Sequence, residues 1–514
     1  MHRVHDGNAR VDLTSCDQEP IHIIGSIQSH GLLFALSEPD LIVRQVSANV
    51  DVVLGVSPQA VLGHSFETVL GAAEFARFRS RLRADDLISA NALRIVLGSR
   101  ALEATCIARR YDGVLIVECE LSAQSVAVPP SELAENIEIL LTRLGQASDV
   151  RAYSEVATSE IQRLSGFDSV MVYRFDAQWN GEVIAETRCV PDPVDFLHYS
   201  FLGLHFPASD IPVQARQLFL TNPVRAIADI ASTPVAIVPQ ISPSTGRALD
   251  LTYSVLRSVS PVHVEYLRNM GVRSSLTLSI IVDERLWGLV ACHHHAPRPI
   301  DCSTRSTCEL IAQNLALHVA LRNADEARRK RQMSLELLDS YTRGANAHND
   351  AVDATSLRDA GFLELLDADG LVSRIGGVTI SEGLTLPDGS LHAVVASLRA
   401  AALRGIASSE DLSALAASAG ARATGGALFI EISKHDGDYL MFVRSELVKT
   451  VSWGGNRDEF FADTAGKLHP RSSFAQWRQT VLGRSAPWTE LQLEAARFLR
   501  AELIHSRDAQ RFQN

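Results

Sequence analysis

The chain has 514 residues, of which 46% are hydrophobic and 21% charged, and its formal net charge is −12. That length exceeds what one core organises and implies about three domains, while the acidic balance excludes an electrostatic nucleic-acid binder, which needs a basic field. No apolar run approaches the ~18–20 residues that cross a bilayer, and Met1-His2-Arg3-Val4-His5-Asp6 lacks the apolar centre of a signal peptide, so no membrane partner is expected. Seven cysteines (Cys16, Cys106, Cys119, Cys189, Cys292, Cys302 and Cys308) are odd in number and scattered, with no CxxC pair to hold zinc. They point to a reducing cytoplasm.

Residues 1 to about 15 are polar. From Gly31 the pattern predicts a strand over Leu32–Leu36, a turn at Glu38-Pro39-Asp40 and a second strand over Leu41–Val46, then helices, then strands near Ala92–Val96, Glu103–Arg109 and Gly113–Glu120. This order suits a PAS-like domain, and Ser122–Pro130 reads as a linker. Helical periodicity starts at Ser131. Strands follow over Ser169–Phe175, Ser274–Val282 and Leu286–His293, the last two joined by Asp283-Glu284-Arg285. A long helix is predicted from Cys302, with Ile311, Leu315 and Val319 repeating at i+4 and Met333, Leu337 and Tyr341 resuming the stripe. Its charged middle is a solvated face or an inter-domain or dimer helix. Strands over Ala427–Ile432 and Tyr439–Val443 precede a long excursion between Arg444 and Trp488, and an excursion of that length is normally functional or mobile.

The stretch with the most chemistry is His205-Phe206-Pro207-Ala208-Ser209-Asp210-Ile211-Pro212-Val213-Gln214-Ala215-Arg216. It predicts a rigid loop feeding a helix: Ser209 or Asp210 as cap, Pro212 in the first turn, and Ile211, Ala215, Leu218 and Phe219 on one face. Taken alone, Asp210 reads as a helix cap. Three further stretches change that reading: Asp17-Gln18-Glu19-Pro20-Ile21-His22 after Cys16, Ser260-Pro261-Val262-His263-Val264-Glu265-Tyr266-Leu267, and Pro470-Arg471-Ser472-Ser473-Phe474. Together, in this order and spacing, the four resemble the signatures of the bacteriophytochromes, red/far-red photoreceptors that carry a linear tetrapyrrole.

The resemblance implies an α+β multidomain fold of PAS, GAF and PHY domains with antiparallel sheets and long connecting helices. The domains would run 1–130, 131–325 and 326–514, with a PHY tongue at about 444–488 and an N-terminal figure-of-eight knot. It implies biliverdin as cofactor, linked as a thioether through Cys16; Val262 and Val264 beside His263 close the alternative attachment route of plant and cyanobacterial relatives. Asp210 and His263 would handle protons at the pyrrole nitrogens. Arg225 and Arg257 would clamp one end of the pigment through its propionates, with Ser274, Ser275 and Thr277 as hydroxyl donors. His293 would bond the ring D carbonyl, Tyr173, Phe206 and Tyr266 would cage ring D, and Ile211 belongs to the same pocket. Arg471 and Ser473 are the tongue residues expected to couple to Asp210.

Three consecutive histidines from His293 raise the thought of a metal, but neighbours on a strand face opposite ways, so no metal site is expected. Ile24 and Ser29 stand where the family has prolines, Phe219 where it has a tyrosine, and Arg188–Leu202 is about six residues longer than usual. No phospho-acceptor box or ATP lid is evident, so the chain is expected to be no enzyme, acting as a homodimer through an output domain or downstream signalling protein. The alternative is a nucleotide-regulated GAF sensory module without pigment, which leaves Cys16 and Arg471 unexplained.

Overall fold

A computed structural model describes residues 19–82, 92–98, 100–121, 142–145, 147–189, 200–348, 354–417, 425–447, 449–456, 461–462, 468–471 and 473–511. Cys16, the Ser122–Pro130 linker and the first helical turns after Ser131 lie outside the described residues. The chain divides into two compact units, Met1–Ala320 with Ser452–Trp477, and Leu321–Val451 with Arg478–Asn514.

The first unit is built on two large sheets, with a small two-stranded one of Phe461–Ala462 and Leu468–His469. One has seven strands in the order Ser26–Ile27, Val235–Val238, Ile42–Ser47, Gly31–Ser37, Val114–Leu121, Leu102–Tyr111, Leu93–Leu97. Gly31–Ser37 is apolar on both faces because both are covered. Leu32, Phe34 and Leu36 join Phe66 and Phe78 in one core, whereas Leu33 and Ala35 pack on Ile237, Leu251 and Leu256. Strand Val235–Val238 thus comes from far along the chain to pair with Ser26–Ile27 on one side and Ile42–Ser47 on the other. The five strands predicted here form within a residue or two, but this inserted strand was not legible. Cys106 and Cys119 oppose each other across two strands, Cα atoms 4.2 Å apart, and are joined as a disulfide. The scattered cysteines gave no sign of this pair: strand register, not sequence spacing, brings the two together.

The second sheet has eight strands, in the order Val224–Ile227, Ser274–Val282, Arg285–His294, Ser169–Phe175, Gly181–Arg188, His205–Phe206, Lys449–Gly454, Gln476–Val481. One face is closed by helix Val150–Ser165, capped by Asp149 and ended by Gly166 at φ +64, and by the start of helix Cys302–His348. There Tyr153, Ala157 and Ile161 meet Ile311, Leu315 and Val319. The predicted stripe stops short of Met333, which is 54% exposed, and in the charged middle Asp325 pairs with Arg328 and Arg329.

In the second unit a five-stranded antiparallel sheet runs Val378–Gly383, Gly370–Ile375, Asp438–Arg444, Gly426–Ser433, Ile406–Ser409. Helix Glu490–Arg511 covers one face through Ala496, Leu499 and Leu503, and helix Asp388–Ala401 the other through Leu391, Val394 and Leu398. Asp438–Arg444, buried at every position, is its centre. Among the described residues no helix is long and apolar enough to cross a membrane.

Candidate functional site

The open face of the eight-stranded sheet carries a cavity of about 440 Å³, a size typical of small-molecule sites. The loop after His205–Phe206 forms one wall. Pro207 is extended (φ −69, ψ 155), Ala208–Asp210 make one 3₁₀ turn, and helix Val213–Thr221 starts behind Pro212. Pro212 stands at the N-cap position, so neither Ser209 nor Asp210 takes the capping place read from the sequence. Arg216, one turn into the helix, instead holds the loop by donating to the carbonyls of Ala208 (3.1 Å) and Ile211 (2.7 Å). The Asp210 carboxylate is thereby left for tertiary partners: it accepts from the Tyr266 hydroxyl at 2.9 Å and pairs with Arg471.

Arg471 is 2% exposed, and its guanidinium lies over the rings of Phe206 (5.3 Å) and Phe474 (4.9 Å) as a cation–π contact, while its Nε and Nη1 are buried with no hydrogen-bond partner. Asn269 donates to the Arg471 carbonyl at 3.2 Å. Trp453 pairs in parallel with His205, and Gly454 packs so close to Phe206 that a Cβ there would lie 2.8 Å from the ring. Burial pushes the Asp210 carboxyl up to about 6, against the pull of Arg471 and Tyr266.

His263 and Tyr266 project from helix Pro261–Asn269, i and i+3 on one face, rings parallel at 6.1 Å. Burial, with Arg225 and His293 nearby, brings His263 down to about 4, and burial brings His293 to about 4. Both are neutral near pH 7, each ring offering one donor and one acceptor nitrogen. Tyr173, against Phe206 at 5.9 Å, completes the aromatic corner, and glycine at 181 leaves room for its ring.

The opposite end is cationic. Arg225 donates from Nη2 to the Ser258 carbonyl (2.9 Å) and Arg257 from Nη1 to that of Ile21 (3.0 Å). Yet Arg225 Nη1, Arg257 Nε and His293 Nδ1 are buried with no hydrogen-bond partner. Burial depresses both arginines, Arg257 to about 10, and their mutual repulsion adds to the fall at Arg225. Glu118 of the first sheet holds the backbone that presents Arg257, accepting from the amides of Val255 (3.0 Å) and Leu256 (2.7 Å).

Tyr173, Phe206, Asp210, Ile211, Arg225, Arg257, His263, Tyr266, Ser275, Thr277, His293 and Arg471 all border this one cavity. Two of the expected residues do not. Ser274 faces the other side of its strand and donates to the Ala296 carbonyl at 2.9 Å; alternation along a strand admits Ser275 and Thr277 but not their neighbour. Ser473 is exposed, its hydroxyl turned to the Ala475 amide (3.4 Å). Sequence reasoning missed Arg216, Asn269, Glu118 and Gln28, whose amide side chain ties the Ala226 carbonyl (2.9 Å) and the Ala228 amide (3.0 Å). Only Arg216 lay within a recognised motif, where it carried no signal beyond its place in the helix.

Three family descriptions match the chain: a PAS fold over residues 16–122, a GAF domain over 149–322 and a phytochrome region over 331–511. A bacteriophytochrome of Xanthomonas campestris pv. campestris is 34% identical, the match covering 98% of this chain and 80% of that protein. A bacteriophytochrome of Pseudomonas aeruginosa (32%) and cyanobacterial phytochrome B of Nostoc sp. (34%) each match over 96% of this chain, which spans 66% of their length. Among solved structures, a bacteriophytochrome from the photosynthetic bacterium R. palustris superposes with a TM-score of 0.84 at 33% identity, covering 96% of this chain and 99% of that one. The Stigmatella aurantiaca phytochrome photosensory core module gives 0.79 at 34%, covering 98% and 99%.

Proposed function

The chain belongs to the phytochrome family, and on that premise we propose that its cavity binds biliverdin and that the chain is a red/far-red photosensory core. The observation that carries this reading is the pair of buried guanidinium groups, Arg225 and Arg257, each with a polar atom left without a partner beside the cavity. Buried cations with spare donors fit a ligand carrying carboxylates, and the propionates of a linear tetrapyrrole are such groups. Ser275 and Thr277 add hydroxyl donors on the sheet wall, and neutral His293, with its buried unpartnered Nδ1, fits a carbonyl.

Bound biliverdin would supply visible absorption and isomerisation about its C–D methine bridge. The chain's own residues do the rest. The aromatic corner of Tyr173, Phe206 and Tyr266 shapes the volume in which a ring turns, and neutral His263 accepts or returns a proton. Asp210, titrating near neutrality, trades its charge between cavity and Arg471. Cys16 supplies the thiol for a thioether; Glu19, three residues on, borders the cavity, and three residues reach at most about 10 Å. Pairing of Ser26–Ile27 with Val235–Val238 supports the figure-of-eight crossing of the N-terminal segment. Leu310, Leu317 and Leu321, exposed along helix Cys302–His348, fit a second copy of the chain, and the signal would pass to an output domain or partner.

The test is the absorption spectrum after adding biliverdin, before and after red light, with zinc-induced fluorescence on a denaturing gel. A red-region band that shifts reversibly with light, and gel fluorescence lost in Cys16→Ala, is the expected result. A chain that leaves the biliverdin spectrum as in buffer sinks the reading; fluorescence undiminished in Cys16→Ala removes that cysteine alone.

A further inference from the structure

On the far side of strand Arg285–His294 from the cavity, the histidine run does something its alternation hides. His293 faces the cavity and His294 the other way. The strand ends at His294, and the bend that follows turns His295 back to the same side as His294. Both rings point their Nδ1 at one oxygen of Asp168, which sits between the end of helix Val150–Ser165 and strand Ser169–Phe175. His294 Nδ1 is 2.9 Å from Asp168 Oδ2 and His295 Nδ1 is 2.6 Å from it, while the His295 amide also donates to it at 2.8 Å.

Three nitrogens therefore crowd one carboxylate oxygen, which offers two lone pairs. The amide and His295 use them, and His294 Nδ1, on a residue only 9% exposed, is buried without a hydrogen bond of its own. An ion placed among the three removes the conflict, since two imidazole lone pairs and a carboxylate oxygen are then all used as donors to it. Two nitrogens and one oxygen, all within 4.8 Å of one another, are the donor set and spread of a three-residue site for Zn²⁺ or a similar divalent transition ion. Ligands at about 2.0–2.1 Å from a tetrahedral ion stand about 3.4 Å apart, so closing around one moves the His294 and His295 nitrogens back from Asp168 Oδ2 by about 0.5 and 0.8 Å.

We propose that Asp168, His294 and His295 form a binding site for a divalent transition-metal ion, distinct from the cavity and independent of what the cavity binds. The scaffold is firm: the Asp168 carbonyl accepts from the Cys189 amide (2.7 Å), and the Arg273 amide donates to the His294 carbonyl (2.8 Å). Arg298, whose Nε donates to the Ser165 carbonyl at 2.7 Å, is the nearby cation that works against a positive charge at the site, so the Asp168 carboxylate is the ligand the site cannot lose. The His295 side chain is one-third exposed, which gives an ion its way in and leaves a water-facing position for a fourth ligand.

The test is calorimetric titration of the full chain, expressed without added tetrapyrrole because pyrrole nitrogens themselves take zinc, with Zn²⁺ as probe. One ion per chain is expected, with two imidazole nitrogens and oxygen in the zinc-edge absorption spectrum. His295→Ala and Asp168→Asn should each weaken that step by about 10-fold or more, as loss of even an outer-shell partner costs about 10–100-fold. His435→Ala, an exposed histidine on a turn of the other unit, should leave it unchanged. Should Asp168→Asn fail to fold, the one-third-exposed His295 decides alone. No one-per-chain step in the parent, or a step that His295→Ala does not move, overturns the proposal.

Discussion

The two ends of the cavity handle buried charge in opposite ways. At the Asp210 end the protein supplies both signs: Arg471 meets a carboxylate and lies over two aromatic rings, although its Nε and Nη1 are also buried without a hydrogen-bond partner. At the Arg225 end neither guanidinium has an ion-pair carboxylate among the described residues, Glu118 and Asp250 acting only from further off, and each keeps a buried atom without a hydrogen-bond partner. The first arrangement is charge-paired within the chain and joins a segment far along the sequence to the cavity wall. The second is complete only with an anionic ligand. A buried cation without its counter-charge costs stability, so the Arg225 end should resist folding slightly and gain from ligand, while the Asp210 end should hold the fold and gain nothing.

The largest expected effect comes from breaking the charge-paired end. Arg471→Ala leaves Asp210 buried without its cation, a loss of about 3–5 kcal/mol from that contact. Hydrogen exchange should show lost protection at Trp453 and Gln476, while biliverdin still attaches. Asp210→Asn in the same chain should recover part of the loss. Exchange at these amides equal to the parent's would make Arg471 a dispensable cation.

Acidification sharpens the contrast. His263, held to about 4, is neutral in the fold but protonated in the unfolded chain below about 6.5. Its contribution is therefore present above 6.5 and lost as the pH falls towards 4, to the extent of roughly 3 kcal/mol. Asp210, raised to about 6, acts with the opposite sign: the fold takes its proton first, so stability from this group increases between 6 and 3.8. In urea titrations of the pigment-free chain from pH 7 to 4, His263→Gln should flatten the acid loss and Asp210→Asn should steepen it. Equal slopes in both variants would mean neither group titrates as its surroundings dictate.

At the incomplete end the sign reverses. Arg225→Met should raise the stability of the pigment-free chain by about 1 kcal/mol, by removing a charge that burial disfavours, and should lower biliverdin affinity by about tenfold. A variant less stable and equally tight-binding would make Arg225 a structural residue. The smallest effect separates two adjacent serines: Ser275→Ala should cost about 1 kcal/mol of binding, one hydrogen bond, and Ser274→Ala none, read from biliverdin titration. The reverse ranking would place the ligand's hydroxyl contacts on the wrong strand face.

Much of this was legible in the residues. Runs such as Ser169–Phe175 and Ser274–Val282 alternate or fill with β-branched and aromatic side chains, and they form strands at the predicted bounds. Motif spacing marked Asp210, His263 and Arg471, which the fold then gathers around one cavity. Local rules erred where local and tertiary demands compete. Asp210 reads as a cap because carboxylates satisfy free amides, but Arg216 holds the loop in its place and frees the carboxylate. Glu118, Gln28 and Asn269 had no signal, since each acts on backbone far away in sequence.

What the sequence by itself determined is part of the strand set, the helix beginning at Cys302 and the chemical types gathered for the cavity, because periodicity and motif spacing are properties of neighbours along the chain. Tertiary structure alone decided which strand lies beside which, as with Val235–Val238 beside Ser26–Ile27 and Cys106 opposite Cys119. It also decided which face each donor takes. A one-residue change of direction separates Ser274 from Ser275 and turns His295 back onto His294 and Asp168. Register and bends are set by long-range packing, which a linear pattern does not encode.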